Sequence, residues 1–136
     1  MPYTKQSYRW IILALLWILY VSLGLVMGSM APLVTPIIED LNMSYSQMGL
    51  ILGSWQLVYI ATSIVAGNLI DRWGERKSLL AGVLVVALSA GLRFFSNGFA
   101  TMLPAVALLG VGGPMISIGG PKMISLWFEG KQRGTA

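Results

Sequence analysis

The sequence predicts an all-α membrane protein with four transmembrane helices, and three observations carry that expectation. Only 10% of its 136 residues are charged, 56% are apolar, and the mean hydropathy is +0.75. A soluble domain carries about 25% charged residues and needs them to cover its surface. The charges are also clustered: none lies in Trp10–Ile38, Leu41–Ile70, Ser78–Leu92 or Phe94–Pro121. A hydrocarbon core about 30 Å thick is crossed by roughly 20 helical residues, so these windows are spans, the Ser78 window once Arg93 is included near its end. Finally, backbone polar groups in hydrocarbon must be satisfied within their own segment, and these windows are too long for barrel strands, which selects helix.

Span 1 is placed at about 10–34, ended by Pro32 and Pro36. Lys5 and Arg9 precede it in the manner of a signal peptide, but the run Trp10–Ala31 is too long for a signal h-region and three spans follow, so the helix is retained. The connector Ile37–Ser46 carries Glu39 and Asp40. Span 2 follows at about 46–70, with Ser44 or Ser46 placed to cap it. A compact polar segment, Asp71-Arg72-Trp73-Gly74-Glu75-Arg76-Lys77, leads to span 3 at about 78–96. Asn97-Gly98 marks a tight turn, and span 4 runs from about 101 to 128 with Gly and Pro concentrated in its middle.

Composition excludes several function classes. Without Cys there is no disulfide or thiolate metal site, and without His the commonest metal ligand is missing. No nucleophile–base pair, metal cluster or phosphate loop is present, so no catalytic residue, metal or cofactor is expected and the chain does not read as an enzyme. The net charge of +4 is spread beside the spans instead of forming one patch, so nucleic acid is not an expected partner.

Basic residues set the orientation. Lys5, Arg9, Arg72, Arg76, Lys77, Lys122, Lys131 and Arg133 fall on one side, and Arg93 with Glu39 and Asp40 on the other. The positive-inside rule then places both chain ends in the cytoplasm, in a multi-pass protein of the plasma (inner) membrane.

Three spans carry a small or polar stripe: Trp17, Tyr20, Gly24 and Gly28 on span 1; Gly49, Gly53, Gln56, Tyr59, Ser63 and Gly67 on span 2; Gly110, Gly113, Ser117 and Gly120 on span 4. Small residues let helix backbones approach closely in lipid, so the glycines read as packing faces. Gln56, Tyr59 and Ser63, an amide and two hydroxyls near mid-bilayer, are expected to face a polar cavity or another helix and are candidate substrate-binding residues.

The loop Gly67-Asn68-Leu69-Ile70-Asp71-Arg72-Trp73-Gly74-Glu75-Arg76-Lys77 closely resembles the signature loop of the major facilitator superfamily: Gly, three residues, Asp, a basic residue, any, Gly, any, two basic residues. It also falls where that family has it, between spans 2 and 3 on the cytoplasmic side. The tail Trp127–Ala136, with Arg133-Gly134-Thr135-Ala136, is similar to the family's loop after span 4. Gly91-Leu92-Arg93, Gly112-Gly113-Pro114 and Pro121-Lys122 resemble, more faintly, the cyanate-porter branch. The resemblance implies a conformational-switch loop formed by Gly67, Asp71, Arg72, Gly74, Arg76 and Lys77, with Asp71 and Arg76 as its working pair. It further implies a secondary transporter of alternating-access type with twelve spans, of which this chain holds spans 1–4 as part of the N-terminal six-helix half. The chain therefore reads as a fragment, 1–136, whose expected partners are a small-molecule or small-anion substrate, the lipid bilayer and the remaining spans. Many members carry an Arg within span 4, four residues before a Gly; here that position is Val106, so the proton-coupled export tied to that arginine is not expected.

Two basic residues need separate readings. Lys122 lies about 21 residues into span 4, about 32 Å at the standard rise, which places it at the inner interface with its ammonium snorkelling. Arg93, one turn from the outer end of span 3, either snorkels or faces the bundle and attracts an anionic substrate. The five acidic residues Glu39, Asp40, Asp71, Glu75 and Glu129 all lie at or beyond the membrane boundary, so these spans offer no proton relay. A complete four-helix exporter of the small multidrug type would need a Glu inside span 1, which is uncharged here; a non-transporting membrane interaction module is the third alternative.

Overall fold

The computed structural model describes residues 3–128, with side chains from Tyr8 onward. Lys5 and the tail Glu129–Ala136 of the sequence reading lie outside the described side chains. Six helices follow in order: α1 (Tyr3–Gly28), α2 (Val34–Asp40), α3 (Tyr45–Trp73), α4 (Glu75–Phe94), α5 (Phe99–Ala107) and α6 (Leu109–Trp127). Four stretches are long and apolar enough to cross a membrane: Tyr8–Gly28, Tyr45–Trp73, Glu75–Phe94 and Phe99–Trp127, the last formed by α5 and α6 together.

The helix ends differ from the expected ones for local reasons. α1 stops at Gly28, short of residue 34, and the chain turns through Ser29–Leu33 before re-entering helix as α2. Pro36 does not end a helix; it sits in the first turn of α2, where a missing N–H removes no helical bond. α2 gives way at Asn42, which takes a left-handed φ of 49°, a conformation that asparagine tolerates better than most residues. Ser44, not Ser46, caps α3: its Oγ accepts from Gln47 N at 3.1 Å, and Gln47 Oε1 accepts from Ser44 N at 2.9 Å, a reciprocal capping box.

The segment 71–77 is almost wholly helical. α3 runs through Trp73 and α4 starts at Glu75, so Gly74 alone makes the turn, at φ 82° and ψ 160°. That region of backbone space is essentially reserved for glycine. Span 4 divides at Leu108, where the helix tightens to an i→i+3 bond, Val111 N to Leu108 O at 3.0 Å.

α6 is the centre of the bundle. In the most apolar window of each span, 56% of the fourth is buried against 28% of the third and 11% of the first and second. Glycines make this possible on two faces. A Cβ on Gly112 would lie 2.7 Å from the Gly82 carbonyl oxygen of α4, and one on Gly110 would lie 2.8 Å from Tyr59 N of α3. Backbones thus touch directly, as expected where lipid supplies no hydrophobic drive for association. The buried side chains of α3 are the apolar Met48, Ile51, Ala66 and Ile70, with Tyr59 and Thr62 beside them against α6. The glycines Gly49, Gly53 and Gly67 of α3 have nothing within 4 Å of a built Cβ, and the same holds for Gly24 and Gly28 of α1. Of the three stripes read as packing faces, only that of span 4 packs through its glycines within the described residues. On α1 and α3 it is the tyrosines of the stripes, Tyr20 and Tyr59, and not their glycines that meet α6.

Candidate functional site: a polar helix crossing and the Gly74 turn

Polar side chains converge where α1, α3 and α6 meet. Tyr59 sits midway along α3, and its Oη lies 2.6 Å from Ser117 Oγ of α6. Ser117 Oγ also lies 3.4 Å from the Pro114 carbonyl, and either hydroxyl can donate in the shorter Tyr59–Ser117 bond. Tyr20 of α1 donates to the carbonyls of Ile116 and Ser117, each at 3.3 Å. Trp55 stands one turn from Tyr59 with its ring edge-on, centroids 6.4 Å apart. Gln56 is exposed on the same helix. Ser63 donates to Ile60 O of its own helix at 2.8 Å. Thr62 Oγ1 bridges to α6, donating to Gly110 O at 2.7 Å. The crossing therefore presents aromatic faces and hydroxyls, a neutral surface able to hydrogen-bond a polar group, while Gln56 and Ser63 make no cross-helix bond among the described residues.

Arg93 does not join this group. Its guanidinium turns into the bundle, against the end of α1, donating to Val26 O and Ser89 Oγ, both at 3.4 Å. Val26 O lies in the last turn of α1, where carbonyls lack helical partners and a cation is favourable. Snorkelling thus gives way to a tie between α4 and α1, and Ser89 is itself buried and bonded to Ala105 O of α5 at 2.7 Å. Among the described residues no carboxylate forms an ion pair with Arg93.

At the opposite end of the helices, the Gly74 turn gathers charge. Asp71, in the last turn of α3, pairs with Lys122 of α6 at 2.5 Å, and Lys122 lies 3.7 Å from Glu75 in the first turn of α4. Asp71 stands unfavourably at a helix C-terminus and Glu75 favourably at an N-terminus; the ammonium between them neutralises both and ties three helices together. Among the described residues Asp71 thus pairs with Lys122 and not with Arg76, and Lys122, still partly exposed, adds an ion pair to its place at the helix ends. The reason is geometric: Gly74 turns α4 so that Arg76 faces Trp127, its guanidinium 5.8 Å from the ring centroid. Gly67 and Arg72 lie near the end of α3, Arg72 in its last turn, and Lys77 is exposed near the start of α4.

The model of the Major Facilitator Superfamily matches residues 16–136. The chain belongs to that superfamily. With four membrane-length helices among the described residues, it is a multi-pass membrane protein. It is 32% identical over 97 residues to a hexuronate transporter of Bacillus subtilis, covering 71% of this chain and 23% of the relative. It is 28% identical over 96 residues to a probable L-galactonate transporter of Escherichia coli, covering 71% and 21%. It is also 30% identical over 99 residues to the synaptic vesicular amine transporter of Mus musculus, covering 72% and 19%. The chain thus spans about a fifth to a quarter of the length of these relatives. No solved structure matches it.

Sequence reasoning missed Tyr20, Ser117 and Thr62 as partners at the crossing. A signal for them was present. Pro114 and Pro121 lack N–H groups, so the carbonyls four residues earlier, Gly110 and Ser117, need donors from elsewhere. Hydroxyls on neighbouring spans were the natural suppliers.

Proposed function

We propose that this chain forms the first four spans of a secondary transporter that moves a small polar solute by alternating access, with both chain ends on the cytoplasmic side of the plasma membrane. The observation that carries the site assignment is the Tyr59–Ser117 bond, midway along α3 and about one turn from exposed Gln56. Family membership supports transport, and a neutral hydrogen-bonding crossing is where a solute would exchange its water for protein donors. Gln56, Tyr59 and Ser63 line the α3 side. Two of the similar proteins are named for sugar acids, and such solutes, carrying hydroxyls and one carboxylate, suit this lining. Arg93, lacking a carboxylate partner among the described residues, contributes a positive field to the outer half that favours anions.

The Gly74 turn serves as the conformational switch. Asp71, Lys122 and Glu75 hold the α3, α6 and α4 ends together, while the exposed Arg72, Arg76 and Lys77, Arg76 against the Trp127 ring, can meet anionic headgroups or the other half of the transporter. A set of ion pairs near water is weak enough to break and reform within a transport cycle.

The test is uptake into proteoliposomes by the whole protein, with D-glucuronate and L-galactonate as first probes and Tyr59→Phe, Gln56→Ala and Arg93→Ala as variants. The reading expects uptake by wild type and a weakened apparent affinity in Tyr59→Phe and Gln56→Ala. Arg93→Ala should lose affinity for anions in particular. Unchanged affinity in all three variants would remove the site assignment.

A further inference from the structure

Ser117, which holds Tyr59, lies on a part of α6 that cannot complete its own hydrogen bonds. Pro121 has no N–H, so the Ser117 carbonyl loses its helical partner, a costly state in hydrocarbon. The hydroxyl of Tyr20 reaches that carbonyl from α1 at 3.3 Å, sharing itself with Ile116 O at 3.3 Å. The approach requires Gly120, because a Cβ there would come within 2.7 Å of the tyrosine Cε2 and Oη. The same chemistry recurs on α6. Pro114 frees the Gly110 carbonyl, Thr62 of α3 donates to it at 2.7 Å, and Gly110 itself must lack a Cβ for the helices to meet. Two occurrences with different donors and different helices argue against coincidence.

The two differ in tightness. Thr62 shares its proton between Gly110 O at 2.7 Å and Val58 O of its own helix at 2.8 Å, both short and inside a close helix contact. Tyr20 spreads one proton over two distant acceptors and borders an apolar cavity of about 310 Å³ lined by Leu13, Leu16, Trp17, Pro121 and Ile124. We infer that Tyr20 is a positioning residue for the solute site: by occupying the carbonyl that Pro121 frees, it fixes the Ser117 turn of α6 and, through Ser117 Oγ, the Tyr59 hydroxyl. The inference rests on the transport reading above for its functional half and on the Pro121 geometry alone for its structural half.

The experiment is a double-mutant cycle on the whole protein in detergent, with thermal unfolding measured for wild type, Tyr20→Phe, Pro121→Ala and the pair. Tyr20→Phe is expected to lower the melting midpoint by a few degrees in the native background. With alanine at 121 supplying the missing N–H, the same change should do little. Equal shifts in both backgrounds overturn the inference. Thr62→Val with Pro114→Ala gives the parallel cycle and keeps the test informative if Pro121→Ala fails to fold, since no coupling there removes the shared chemistry. Uptake of D-glucuronate supplies the readout that a merely structural role would not move. Tyr20→Phe should raise the half-saturation concentration about threefold to fifteenfold, the range expected for one intramembrane hydrogen bond, and more than it lowers the maximal rate. A wild type that carries no glucuronate refutes the sugar-acid reading, and the thermal cycle then decides Tyr20 by itself. A cycle without coupling refutes Tyr20 and leaves transport standing.

Discussion

Replacing Gly110 with alanine should separate α3 from α6, and the structure sets the size of the effect. The new Cβ would lie 2.8 Å from Tyr59 N and 2.8 Å from Val58 Cβ, and closer still to the Trp55 carbonyl oxygen. All but one of these atoms are backbone, so none can rotate away. Restoring ordinary contact requires the helices to part by roughly 1 Å, enough to forfeit a quarter to a half of the dispersion wells across the contact. It also stretches the Thr62–Gly110 bond from 2.7 Å past hydrogen-bonding range. Overpacking costs about 1–3 kcal/mol and an intramembrane hydrogen bond about 0.6 kcal/mol, offset by up to ~1 kcal/mol from the better helix propensity of alanine. The net loss is about 1.6 kcal/mol at the middle of that range. Gly119→Ala on the same helix is the control, since its Cβ would meet Leu79 Cδ2 and Cγ at 3.2 Å, and that side chain can yield. Unfolding of the whole protein in mixed micelles, followed by tryptophan fluorescence, reads both. Should Gly110→Ala prove as stable as Gly119→Ala, the direct backbone contact between α3 and α6 does not exist as described.

Other outcomes follow from the same structure. Gly74→Ala forces a side chain onto a backbone at φ 82° and ψ 160°, a strain of about 1–3 kcal/mol, so stability and transport rate should fall together; an unaffected variant would mean that the turn relaxes freely. Asp71→Lys and Lys122→Asp should each slow transport, and the combined charge swap should recover part of the loss; a harmless Lys122→Asp would return the role of partner to Arg76. The chain contains no Cys, so single-cysteine variants report topology cleanly. Arg72→Cys should react with an impermeant thiol reagent only from the cytoplasmic side and Asn97→Cys only from outside, and the opposite pattern would invert the proposed orientation.

What the sequence disclosed and what it withheld divide along a physical line. Charge-free windows announced the spans, because desolvating a charge in hydrocarbon is expensive whatever the neighbours are. The glycine at position 74 announced a turn, because its backbone freedom is a local property. Partnerships between helices were less legible. Asp71 meets a lysine 51 residues away, and nothing near either residue specifies that contact; it depends on how α6 lies across the ends of α3 and α4. The glycine stripe of α3 looked like a contact face, yet Met48, Ile51, Ala66 and Ile70 at neighbouring angles are the buried set. Two stripes on one helix cannot be ranked without knowing what stands opposite. Proline misled at Pro36, where it begins a helix, and informed too little at Pro114 and Pro121, where it calls for donors from other spans.

The dominance of α6 in the packing bears on how the protein is made. α3 and α4 touch each other far less than each touches α6, and α1 makes only slight contact with the rest. A chain emerging from the ribosome presents these three spans before the one that covers most of their contact surface, so before α6 they share only the slight α3–α4 contact and the Arg93 tie from α4 to α1. The glycine-rich span then supplies the common surface on which its earlier neighbours close.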